Sequence, residues 1–115
     1  MLKVYVAGPY TKGDMEQNVR NAIDATYELI KLGLAPFCHH LSHYVDIIHP
    51  HSWQQWMDID IEFLIDCDIV LRIPGESKGA DLEVETANKA GIPIFYSIDE
   101  IKDAISNAHN GKIKS

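Results

Sequence analysis

A single open α/β domain, built on a parallel sheet of four to five strands with helices on both faces, is the fold this chain predicts. Three observations predict it. Short apolar runs rich in β-branched residues alternate with longer segments of helical period along the chain. Glycines at 33 and 91 fall where helical patterns stop and the next strand pattern begins. No internal repeat or low-complexity stretch interrupts the alternation, and 115 residues fit one domain of ordinary size. Strand–helix–strand alternation with short connections requires right-handed crossovers, and hence parallel strands.

Taken in order, Leu2 to Ala7 alternates and carries β-branched and aromatic residues, so it is read as the first strand. Gly8 to Gly13 is a loop. Asp14 caps a helix from Met15 to Leu32, with Val19, Ala22, Ile23, Thr26, Leu29 and Ile30 on its core face. Leu34 to Cys38 is a second strand. His39 to Ser52 lacks a period and is read as a loop over a surface or a site. Ser52 caps a helix from Trp53 to Cys67, and Ile69 to Ile73 forms a third, buried strand. Pro74 to Lys78 is a turn, and Gly79 to Ala90 a helix whose Ala80, Glu83, Ala87 and Ala90 share one face. Ile92 to Tyr96 is a fourth strand, and Ser97 or Asp99 opens a last helix running to His109. The domain is thus placed at residues 1–109, flavodoxin-like or Rossmann-like, with 110–115 as a flexible tail. In such sheets ligands bind at the carboxyl ends of the strands, so the loops 8–13 and 74–79 are expected to meet over one crevice.

Composition excludes several classes. With 46 % apolar and 23 % charged residues the chain is globular rather than disordered. A net charge of −7 argues against a nucleic-acid polymer as partner, because a basic face supplies most of that affinity. It leaves room for one small anion, held by backbone N–H groups at a helix N-terminus. No apolar run reaches the ~18 residues of a membrane span. The short apolar start reads directly as a strand rather than as a secretory signal. Two cysteines, Cys38 and Cys67, suit buried thiols, and the expected location is the cytoplasm.

Glu83 is the first candidate for chemistry. It puts a carboxylate on the inward face of a helix, where burial is costly unless the group is used or paired. Asp60 has the same character: Asp58, Glu62 and Asp66 make a solvated stripe, and Asp60 points away from it. Two inward carboxylates near one crevice suggest a nucleophile or base with a second acid. Tyr5 lies in a buried strand beside that crevice, and its hydroxyl needs a polar partner, for which Glu83 is the natural choice. Gly8, Pro9, Thr11 and Lys12 occupy the loop position of phosphate-binding loops without a GxGxxG or Walker A pattern. Ser77, Lys78 and Gly79 precede a helix N-terminus, which suits an anion or a simple capping turn. The histidines at 39, 40, 43, 49 and 51 lack metal-ligand spacing, so no metal is assigned. A histidine of this stretch, His40 first, is a candidate to stack on or hydrogen-bond a base at the rim of the site, with plain loop histidines as the alternative. Trp53 and Trp56 are read as core or lid.

These pieces resemble the nucleoside 2-deoxyribosyltransferase superfamily. The likeness is carried by Tyr5-Val-Ala-Gly-Pro9, by Asp60 eight residues before Asp68, and by Ser77-Lys-Gly-Ala-Asp-Leu-Glu83-Val-Glu-Thr-Ala87. It is closest to the deoxynucleoside 5′-monophosphate N-glycosidase branch and its small phage and bacterial relatives. The resemblance implies that Glu83 attacks C1′ of the sugar, that Tyr5 holds Glu83, and that Asp60 contacts sugar or base. It implies that Ser77 binds the 5′-phosphate, where the transferases carry an aspartate, and that Thr11 and Lys12 belong to the phosphate loop. Pro9 stands where vertebrate-type hydrolases have a loop serine. The implied activity is hydrolysis of the N-glycosidic bond of a (deoxy)nucleoside 5′-monophosphate, without cofactor, in a dimer or larger homo-oligomer. Base exchange by a transferase, or a non-catalytic nucleotide-binding sensor, are the alternatives. From the residues alone, the helix N-terminus and the Tyr5 hydroxyl are expected to lower the Glu83 pKa.

Overall fold

The computed structural model describes residues 1–109, so the expected tail, 110–115, lies outside the described residues. Four strands, β1 (Lys3–Ala7), β2 (Ala35–Cys38), β3 (Ile69–Arg72) and β4 (Ile94–Phe95), form one sheet in the order β2-β1-β3-β4. Every pairing is parallel, with Tyr5 opposite both Phe37 and Val70. Five helices complete the described chain: α1 (Met15–Lys31), α2 (His43–Ile48), α3 (Trp53–Leu64), α4 (Lys78–Lys89) and α5 (Ile98–His109).

The period of two along β1 divides the molecule into its layers. Val4 and Val6 join Ala22 and Leu29 of α1 and Ile101 of α5 on one face. Tyr5 and Ala7 face the other way and join Leu64 of α3 and Ala80 and Ala87 of α4. All four of these β1 residues are fully buried, as a central parallel strand requires. Leu29 and Leu64 are buried as completely, and each contributes about 1.5–3 kcal/mol by leaving water. Pro36 is tolerated because β2 is an edge strand.

Caps set the helix ends. The Asp14 carboxylate accepts from Gln17 N–H at 3.1 Å, and Ser52 and Gln55 form a reciprocal capping box at the start of α3. The Ser97 hydroxyl accepts from Glu100 N–H at 3.1 Å and opens α5.

Several boundaries differ from expectation. The stretch 39–52 is not a plain loop: a 3₁₀ turn at His39–Ser42 runs into α2, which buries His40 and His43. Its helical pattern was too short to register as a period. Helix α3 ends at Leu64 rather than Cys67, with Ile65 as its cap. On α1 the core stripe is narrower than expected, since Ile23 and Ile30 are 38 % and 56 % exposed while Val19, Ala22 and Leu29 are buried. Ala90 caps α4 and is exposed, so the buried face of that helix is Ala80, Glu83 and Ala87.

Because β2 and β3 flank β1 on opposite sides, the connections leaving β1 and β3 pass to opposite faces of the sheet. A crevice opens between them at the carboxyl edge. The two loops approach closely. A Cβ on Gly75, whose φ is +125°, would come within 2.7 Å of Pro9 Cγ, and one on Gly8 within 2.9 Å of Ile73 Cβ.

Candidate active site

The crevice holds a cavity of about 370 Å³. Its walls come from the loop after β1 (Gly8, Tyr10, Thr11, Lys12), from His39 and Ser42 after β2, and from Trp53, Trp56, Met57 and Asp60 of α3. The loop after β3 and the start of α4 complete it with Glu76 to Ala80 and Glu83.

Glu83 sits in the second turn of α4 and is 1 % exposed. Tyr5, reaching up from the middle of β1, donates its hydroxyl hydrogen to Glu83 Oε2. His39 lies flat on the Tyr5 ring, with centroids 5.7 Å apart and planes inclined by 8°. One of its ring nitrogens, Nδ1, is 3.3 Å from Asp60 Oδ2; the other, Nε2, is 3.9 Å from Glu83 Oε1, beyond hydrogen-bond reach, and is buried without a hydrogen bond. Tyrosine, imidazole and two carboxyls, drawn from β1, the end of β2, α3 and α4, thus form one buried group.

Electrostatics make the group a store of protons. Burial pushes the Glu83 carboxyl up to about 8; the Tyr5 hydrogen bond opposes this, Asp60 adds to it and Arg72 opposes it. Burial likewise pushes Asp60 up to about 7. Burial, and then the neighbouring His40, hold His39 well below the ordinary imidazole range, so it is neutral. The His39–Asp60 contact is therefore not an ion pair near neutrality. Tyr5 does lower the Glu83 pKa as expected, but loss of water outweighs that one hydrogen bond, so the expectation of a net lowering is corrected.

The other end of the cavity suits an anion. Ser77 caps α4, its oxygen accepting from Ala80 N–H at 3.1 Å, which leaves its own O–H free to donate. Lys12 stands 3.8 Å from Glu76 across the mouth, and the Lys78 ammonium lies 5.3 Å over the Trp53 ring. Beneath this turn Arg72, 8 % exposed, donates to the carbonyls of Ile73 and Gly75 (2.9 Å for the latter) and to Asp81 Oδ1 at 3.0 Å.

Of the expected residues, Gly8, Thr11, Lys12, Asp60, Ser77, Gly79 and Glu83 meet at the cavity, and Tyr5 lies directly behind Glu83. Pro9 and His40 do not line it. Pro9 packs on Gly75, and its carbonyl takes His40 Nε2 at 2.9 Å, so the placement of His40 at the rim is corrected. His40 is 1 % exposed and props the loop from below. The residue in the expected place is His39. Its signal was present: Phe37 pairs with Tyr5 on one face of the sheet, and the period of two carries that face on to His39. Trp53 and Trp56 both line the cavity. Arg72 was missed, because an arginine in an apolar strand has no sequence mark of its partners.

One ring nitrogen of His39 and one oxygen each of Asp60 and Glu83 lie within 4.8 Å of one another, the spread of a loose metal triad. The two nitrogens face different carboxyls, however, which suits a proton path between the acids better than a single ion.

The fold is that of a solved 2-deoxyribosyltransferase from the psychrotolerant bacterium Bacillus psychrosaccharolyticus, a biocatalyst for nucleoside synthesis. The TM-score is 0.61 and the identity 20 %, over 80 % of this chain and 69 % of that one. No curated protein matches the chain at a significant level. Residues 2–96 match the model of a family described as a domain of unknown function, DUF4406, and the chain belongs to that family.

Proposed function

We propose that this protein hydrolyses the N-glycosidic bond of a (deoxy)nucleoside 5′-monophosphate, with Glu83 as nucleophile. The observation that carries the reading is the placement of Glu83. One oxygen is held by Tyr5, the other faces His39 and the cavity, and the Ser77-capped start of α4 lies along the same wall. In the working state the buried acids share one proton. Glu83 is ionised for attack, and His39, between the two, passes the proton to Asp60.

Glu83 then adds to C1′ through an oxocarbenium-like transition state as the C1′–N bond breaks, and the departing base takes a proton from Asp60 or His39. A glycosyl ester on Glu83 results. Water attacks C1′, Asp60 or His39 accepts its proton, and (deoxy)ribose 5-phosphate leaves with Glu83 restored. The short separation of the two carboxyls, at most 4.8 Å between their nearer oxygens, favours this double displacement. A single displacement needs about 6.5–9.5 Å between them, to seat water on the far face of the sugar. Ser77, Lys12 and Lys78 supply the donors for the 5′-phosphate.

The test is to incubate the protein and its Glu83→Gln variant with nucleosides and their 5′-monophosphates and to measure free base. Base release by the parent alone, greatest with monophosphates, is expected. A fold shared with a 2-deoxyribosyltransferase favours one second reading, base exchange through the same glycosyl ester. Addition of an acceptor base separates the two, since exchange without net hydrolysis would select the transferase. Binding that survives Glu83→Gln, with no base released by the parent, would select a sensor.

A further inference from the structure

His43 is 4 % exposed and takes no part in the chemistry above, yet both of its ring nitrogens are bonded. Nε2 lies 3.1 Å from Glu16 Oε1 and Nδ1 lies 2.8 Å from the Tyr10 hydroxyl. Tyr10 is part of the cavity wall. The Glu16 side chain is 81 % exposed; as a carboxylate it can only accept. In a neutral His43, Nε2 must then carry the hydrogen, and Nδ1 must be the acceptor. The Tyr10 hydroxyl hydrogen is committed to Nδ1, and the tyrosine oxygen keeps only lone pairs.

For the neutral ring, direction is fixed by the chemistry of the two ends, and position by the packing. The Tyr10 ring meets His40 and His43 edge-on, at 6.0 Å and 5.6 Å between centroids. Its backbone carbonyl, together with that of Lys12, is held by the Asn18 side-chain amide at 3.0 Å and 2.7 Å. A hydroxyl held this firmly is a reader rather than a rotor.

We propose that Tyr10, polarised by the Glu16–His43 chain, presents an acceptor only and selects substrates that offer a hydrogen-bond donor to it. This rests on the reading of the cavity as a nucleotide site. The donor is either an amino group of the base or the 3′-hydroxyl of the sugar, chemistry that Tyr10→Phe would cease to read.

The test is calorimetric binding to the Glu83→Gln protein, with and without Tyr10→Phe, so that turnover plays no part. The ligands are deoxynucleoside 5′-monophosphates with amino-bearing and with keto bases, and their 2′,3′-dideoxy counterparts. If the base is read, Tyr10→Phe weakens the amino-bearing ligands about tenfold and leaves the keto ones unchanged. If the sugar is read, all deoxynucleotides weaken alike and the dideoxy ligands do not. His43→Phe frees the tyrosine hydrogen to donate, and is expected to shift preference toward ligands that accept. Equal weakening of every ligand, dideoxy forms included, or no weakening of any, would overturn the proposal, as would a parent that binds none of them. Binding in the expected pattern by a protein that releases no base would instead overturn the hydrolase reading and leave Tyr10 its role.

Discussion

At the scale of the residue, the burial of Glu83 and Asp60 costs stability as they ionise. Both acids have folded-state pKa values raised above their ordinary ones, from 4.5 to about 8 and from 3.8 to about 7. A raised acid is without penalty below its unfolded pKa, and the fold loses stability as pH climbs through the folded values. The melting temperature is therefore expected to fall between about pH 5 and pH 8. Glu83→Gln should flatten that slope and melt at least ~4 °C above the parent at pH 8, the shift that about 1 kcal/mol brings to a domain of this size. Thermal melts across that range check it, and equal slopes in both proteins would refute it. The same pair predicts a narrow bell for kcat/KM, centred between about 7 and 8, because the reactive state holds one proton where two acids compete for it. Asp60→Asn should lower the rate and remove one limb of the bell. That Glu83 and Asp60 point inward was legible in the sequence, since helical period alone separates them from the solvated acids around them. That their pKa values rise was not, because desolvation depends on what covers a group and not on its neighbours in the chain.

At the scale of the element, the turn from β3 into α4 joins the two ends of the site. Ser77 caps α4, and the proposed function gives it a second task, as a donor for the 5′-phosphate. Ser77→Ala should cost about 1 kcal/mol of stability, as lost caps do. It should also raise KM for 5′-monophosphates well above any change for the parent nucleosides. Steady-state kinetics on both substrate classes separate the two effects. Arg72 holds the same turn through two carbonyls and Asp81. Arg72→Met leaves those acceptors without a donor and is expected to destabilise by about 1–3 kcal/mol. Amide exchange should quicken across residues 73–81 while β1 and β2 stay protected. Because Arg72 also opposes the rise in the Glu83 pKa, its removal should move the rate profile toward alkaline pH. Uniform loss of protection throughout the sheet would instead make Arg72 a general core residue. The strand, turn and helix of this element were legible from Ile69 to Ala87 to within a residue or two. The arginine clamp was not, since its three acceptors are set by how the turn folds back over the strand end.

At the scale of the molecule, α2 carries its apolar residues outward: Tyr44, Val45, Ile47 and Ile48 are each at least half exposed. The proposal of a homo-oligomer draws on this surface. Light scattering is expected to give a dimer or larger species, which Ile47→Glu with Ile48→Asp should dissociate; a monomeric parent would refute it. No helix among the described residues is long and apolar enough to cross a membrane. The parallel sheet, its alternating helices and the crevice over the first and third strands follow from period and punctuation, which are local properties of the chain. So do Tyr5, Asp60 and Glu83 as candidates, because strand and helix periods fix which way a side chain points, while Ser77 is marked by its place before a helix N-terminus. Only the tertiary structure decided that His39 and not His40 enters the site, that His43 ties Tyr10 to Glu16, and that Arg72 holds the turn into α4. Those choices depend on a 3₁₀ turn and a short helix between residues 39 and 48, too brief to leave a period. They also depend on contacts between residues far apart in the chain, which only the packed sheet brings within reach.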